Sequence, residues 1–103
     1  VTAPTGTARG DQPAEAADLV AAAVLAVPGV SGLHGGAFGE VGTYLPGRRV
    51  SGVRLGEQSA VHITVAMHAE ILEVVREVRD TVSALVGGPV EVVVEDVTAT
   101  EQG

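Results

Sequence analysis

The chain has 103 residues, no lysine and no cysteine, and thirteen acidic residues against six arginines leave a formal net charge of -7. That length fits one domain able to bury roughly 65% of its unfolded surface in a single core. The acidic balance argues against nucleic acid and against adsorption to an anionic bilayer, and the lack of cysteine excludes disulfides, thiolate metal sites and cysteine nucleophiles, as suits a reducing cytoplasm.

Phe38 and Tyr44 are the only aromatic residues, so the core must be aliphatic. Val1 to Gln12 is rich in Thr, Gly and Pro and nearly free of large apolar residues. It predicts a disordered N-terminal tail. Asp11 can cap a helix and Pro13 suits its first turn, after which Leu19, Val20, Ala23, Val24 and Val27 form a stripe. A helix is predicted over 13–26, stopped by Pro28 and Gly29. The longest apolar run, Leu19 to Val30, is too short to span a bilayer, and acids stand where a signal peptide carries basic residues. A soluble, unsecreted protein is expected.

Val30 to His34 reads as a short strand. It leads into His34 to Arg49, HGGAFGEVGTYLPGRR, where glycines interrupt any regular period and only Val41 to Leu45 looks extended. Val50 to Leu55 and Ala60 to Met67 are predicted strands joined by a four-residue hairpin loop. The second alternates, with Val61, Ile63, Val65 and Met67 on one face and His62, Thr64, Ala66 and His68 on the other.

The clearest element is the helix over 70–86. Ile71, Val75, Val78, Val82 and Leu85 recur at helical spacing, Arg76 and Asp80 stand four apart for an ion pair, and Gly87, Gly88 and Pro89 end the segment. Val90 to Val97 gives the last strand, and Thr98 to Gly103 a polar tail. Strand, helix and strand with short links make a right-handed crossover with parallel outer strands. The fold class expected is a two-layer α+β arrangement, order α-β-(β)-β-β-α-β. It has a small mixed sheet of three to four strands and both helices on one face. The single domain occupies 13–97.

Candidate sites are few. Leu33 to Val41, LHGGAFGEV, resembles the glycine loop of protein kinases, yet the phosphate-binding lysine that chemistry needs is missing. His62 and His68 lie six residues apart on a strand, too far for one metal ion, and neither paired histidines nor thiolates occur at zinc spacing. The carboxylates of the second helix and last strand fall on solvated faces, and no nucleophile turn is present. No enzyme, metal or cofactor is expected. The glycine-rich stretch is the better candidate: Phe38, Tyr44, Arg48 and Arg49 are of the types enriched at binding hot spots and are expected to contact a partner. The wet sheet face, with His62, His68 and Val93, or the edge of the sheet is the expected self-association surface. The alternative is a small-ligand or metal-binding domain using His34 and loop 34–49.

Taken together, VLAVPGVSGLHGG (Val24 to Gly36), the stretch to Arg49, VHITVAM (Val61 to Met67), ILEVVREVRDTV (Ile71 to Val82) and VEVVVEDV (Val90 to Val97) resemble the alkaline shock protein family of bacterial envelope stress response proteins. The likeness covers Ala16 to Val97 and is most specific at Val27 to Val30 with Gly35 and Gly36, and at Val94 to Val97. The lysine-free, alanine-rich composition suits short actinobacterial members. Two departures stand out: longer members carry an extra segment before the first helix that these residues do not match, and Met67, His68, Ala69 and Glu70 replace a tyrosine, glycine and proline signature. The resemblance implies a non-catalytic scaffold in cell envelope homeostasis. It also implies a cytoplasmic homo-oligomer held near the membrane by a membrane-anchored protein partner; the acidic charge and the short apolar run add the expectation of no nucleic acid and no direct membrane insertion.

Overall fold

The structure, a computed structural model, describes residues 13–99. The expected N-terminal tail, the Asp11 cap and the expected C-terminal tail from residue 100 onward lie outside those residues. Eight elements follow in chain order: α1 (Pro13–Leu25), β1 (Val30–Leu33), β2 (Gly42–Leu45), β3 (Arg48–Ser51), β4 (Val53–Arg54), β5 (Ser59–Ala66), α2 (Ile71–Val86) and β6 (Val90–Thr98). This is the expected small α+β fold with a mixed sheet.

β5 is the centre of the sheet. Along one edge it pairs in parallel with the whole of β6, from Ser59 opposite Val90 to Ala66 opposite Thr98. Along the other it pairs antiparallel with β1 near its end and with β4 near its start. Between those two stretches the His62 amide donates to the Gly52 carbonyl and the His62 carbonyl accepts from the His34 amide, each at 2.8 Å. β2 and β3 form a separate two-stranded hairpin turned by Pro46 and Gly47. Proline supplies the first turn angle, and Gly47 at φ +77° supplies the second.

The expected single strand over Val50 to Leu55 is therefore two strands in two sheets, and Gly52 is the reason. It sits at φ +83°, and a Cβ there would lie 2.9 Å from the His62 carbonyl oxygen and 2.9 Å from the Leu33 Cβ. Its own amide donates to the Val41 carbonyl. Glycine alone lets the chain leave the hairpin and join β5 at so close an approach.

Val61, Ile63 and Val65 on one face of β5 pack with Ala17, Val20 and Val24 of α1 and with Val74, Val78 and Val82 of α2. Both helices thus cover one face, as expected. The stripe of α2 is phased differently from the expected one: Val74, Val78 and Val82 are buried, whereas Ile71 and Leu85 are exposed and Val75 is half-buried. Residues spaced by four keep a helix in register with the strands beneath it, and the ends of α2 extend past them. Leu19 of α1 is likewise exposed, and Ala17 takes the inner position. The expected Arg76–Asp80 pair is not formed. Among the described residues the ion pair is Arg48–Asp18, and His62 and Glu95 make a side-chain hydrogen bond.

α2 ends where expected. Gly87 adopts a left-handed φ of 76° and donates its amide to the Ser83 carbonyl, while the Ser83 hydroxyl donates to the Gly88 carbonyl. At the other end of the domain Gly29, φ +98°, lies so close to α2 that a Cβ would stand 2.5 Å from Val74 Cγ2. β5 stops at Ala66, so Met67 belongs to the following turn and is exposed instead of facing the core. β6 reaches one residue beyond the expected end, because the Met67 amide donates to the Thr98 carbonyl.

Candidate interaction surfaces

Arg49 builds the glycine-rich loop. Its guanidinium Nη2 donates to the carbonyl of Gly39 and to that of Val41, the latter at 2.9 Å, and its Cζ lies 5.2 Å from the ring centroid of Tyr44. Tyr44 is its cross-strand partner in the hairpin, so strand pairing places the cation over the ring. Gly42 leaves the room: a Cβ there would fall 2.5 Å from Arg49 Nε. That Nε is buried without a hydrogen-bond partner. One side chain therefore joins the loop tip, the start of β2 and the only tyrosine.

Arg48, on the opposite side of β3, donates through both Nη atoms to the Asp18 carboxylate at 3.1 and 2.7 Å. This two-point contact ties the hairpin to α1. The Arg48 hydrogen bond, with its charge, holds the Asp18 carboxyl below its ordinary value and raises Arg48 in return. Glu40 is also held below the usual glutamate value, first by its own backbone amide and then by that of Phe38, which donates to Oε1 at 3.0 Å.

The two arginines expected to meet a partner are thus engaged within the chain. The two aromatic residues stay open to solvent, Tyr44 even with Arg49 over its ring: Phe38 is 93% and Tyr44 73% exposed. Neither folds back over the core. The loop's polar groups are largely turned on itself, with the Gly36 amide donating to His34 Nδ1, Gly39 to the Gly36 carbonyl and Val41 to the Gly35 carbonyl. This leaves His34 Nδ1 occupied. Among the described residues no three histidine, aspartate or glutamate side chains stand together as a metal site would require.

The sheet face away from the helices carries His62, whose Nδ1 lies 2.5 Å from Glu95 Oε2. Glu95 is an extra residue in β6, since Ile63 pairs with Val94 and Thr64 with Asp96. Such a bulge re-aims a side chain, here toward the histidine one strand over. A second bulge, at Ser31 of β1, brings its hydroxyl within 2.9 Å of the Thr64 hydroxyl and 2.8 Å of the Thr98 hydroxyl. Val93 lies opposite His62 on this face and is half-buried.

His68 is not part of that face. It stands in the turn before α2, beside an open groove of about 490 Å³ lined also by Gly29, Val74, Glu70, Glu73 and Glu77. The expected trio of His62, His68 and Val93 is therefore a pair, because alternation along a strand stops applying where the strand ends. Sequence reasoning did not find Asp18, Glu40 or Glu95 as partners of these residues. The Asp18–Arg48 and Glu95–His62 contacts bridge 30 and 33 residues and the second depends on a bulge, so no local spacing signals them. Glu40 accepts from the Phe38 amide within an irregular loop that has no period to read.

Among the described residues no helix is long and apolar enough to cross a membrane. The chain matches no known protein-family model, no characterised protein and no solved structure.

Proposed function

We propose that the chain is a non-catalytic structural or adaptor module of the bacterial envelope stress response, of the alkaline shock protein type. In this reading it self-associates in the cytoplasm and is held at the inner face of the membrane by a membrane-anchored protein. The observation that carries it is the one-sided sheet: helices cover one face, while the other face and the free edge of β6 have no covering element among the described residues. Open edges of this length are pairing surfaces unless charge or proline blunts them.

Phe38 and Tyr44 are the proposed contacts for the anchoring partner, with Arg49 holding the loop that presents them and Arg48 fixing the hairpin to α1. Large exposed aromatic groups on a braced loop bind at low entropic cost.

Solution mass by light scattering, measured across a wide concentration range on the full chain, tests the scaffold reading. Mass rising with concentration is expected. A monomer at every concentration would remove self-association and leave only the adaptor role of the aromatic loop.

A further inference from the structure

We infer that β6 pairs antiparallel with β6 of a second copy about a two-fold axis at Val94, joining the two sheets edge to edge. This rests on the self-association proposed above and names the surface that performs it. β6 is nine residues long, contains neither proline nor lysine, and gives β5 only one of its edges. Its other edge has no strand among the described residues.

The occupant follows from register and charge. Val92 and Val94 lie opposite Val61 and Ile63 and face the core, while Val93, opposite His62, faces outward. The bulge makes Glu95 and Asp96 share one outward position, after which Val97, opposite Val65, returns to the helix-covered side of the sheet, where it is 39% exposed. An antiparallel pair must match core-facing with core-facing residues. Two long registers satisfy this. Centred on Val93, the pairing sets Glu91 against the Glu95 and Asp96 position of the other copy, a like-charge clash on both sides of the axis. Centred on Val94, it sets Glu91 against Thr98, Glu95 and Asp96 against Val93, Val92 against Val97, and Val94 against itself. No carboxylate then opposes another, and the core side is valine throughout.

The overlying helix agrees. α1 packs on β1, β2 and β4 and α2 on β6, so the flank of α2 that points away from α1 overhangs the free edge. By helical geometry that flank carries Leu72, Val75 and Val86 with Arg79 among them. Leu72 is 78% exposed in the single chain. A second copy joined at β6 brings the same flank of its own helix alongside and covers it. Because each chain carries a net charge of -7, added salt should strengthen the pairing.

The absence of cysteine allows a direct test. Val94→Cys puts one thiol on the axis, where antiparallel partners stand about 4.5 to 5.5 Å apart at Cα, within disulfide range. Glu91→Cys puts the thiols about 20 Å apart at roughly 3.3 Å per residue. Mild oxidation should give a covalent dimer of V94C and none of E91C. In parallel, hydrogen exchange of β6 amides in the unaltered chain should slow as concentration rises. If mass grows with concentration but V94C does not cross-link and β6 exchange stays constant, this pairing is overturned and self-association by another surface stands. If the unaltered chain remains monomeric, both fall. Should V94C misfold by circular dichroism, the exchange measurement on the unaltered chain decides.

Discussion

Gly52 and His62 meet backbone to backbone: the His62 amide donates to the Gly52 carbonyl at 2.8 Å, and a methyl group on Gly52 would come within 2.9 Å of the His62 carbonyl oxygen. At this one point the aromatic-bearing hairpin is fastened to the central strand of the sheet. The loop that carries Phe38 and Tyr44 is therefore tied to the core here as well as braced by its own Arg49.

Gly52→Ala should be among the most damaging single changes. A left-handed conformation costs a residue with a Cβ about 1 to 2 kcal/mol, and the clash with backbone atoms adds to it. Gly47→Ala supplies the control, since Gly47 has a similar φ of +77° with nothing within 4 Å of the added carbon. Chemical denaturation should show G52A losing clearly more stability than G47A. Equal losses would mean that the close approach at His62 contributes nothing.

Arg49→Ala removes the carbonyl hydrogen bonds at Gly39 and Val41 and the cation over Tyr44, a loss expected at about 1 to 3 kcal/mol. Arg49→Lys should recover little of it, because an ammonium cannot reach two carbonyls with a planar fork. Thermal unfolding gives the stability. Amide exchange at Gly39 to Val41 reports the loop, and it should accelerate in both variants.

The phase of α2 can be checked in its core. Val78 and Val82 are fully buried. Val78→Ala or Val82→Ala should cost roughly 1.5 to 3 kcal/mol, from two lost methylene equivalents and the space left behind. Leu85, predicted to be a core residue from periodicity but 49% exposed, should tolerate alanine to within about 0.5 kcal/mol. A larger loss at Leu85 than at Val78 would restore the expected stripe.

The Arg48–Asp18 contact should respond to acid with a definite sign. The folded-state pKa of Asp18 is depressed, chiefly by the Arg48 hydrogen bond, so the contribution is present above the ordinary aspartate value of 3.8 and is lost as pH falls below it through the folded value. A double-mutant cycle of Asp18→Asn and Arg48→Gln should show favourable coupling at neutral pH and low salt. It should vanish in acid and shrink in salt, since both side chains are about half exposed. Coupling that grew as the pH fell would contradict the geometry.

The sequence by itself determined the elements whose signals are local. The stop of α1 before Pro28, the end of α2 at Val86 and the closing strand–helix–strand unit with its parallel β5–β6 pair follow from proline and glycine at fixed positions and from runs of one periodicity. These depend on residues within a turn or two of one another. The tertiary structure alone decided which side of α2 faces the sheet, where Gly52 splits a strand and why His68 leaves the sheet face. It also decided that Arg48 and Arg49 brace the hairpin while Phe38 and Tyr44 stay exposed. Each of those outcomes is set by a contact across a long stretch of chain: Arg48 to Asp18, Gly52 to His62, Glu95 to His62. Such contacts form only when packing of the aliphatic core brings the segments together, and a helix stripe a few tens of degrees wide takes its phase from the strands it happens to cover.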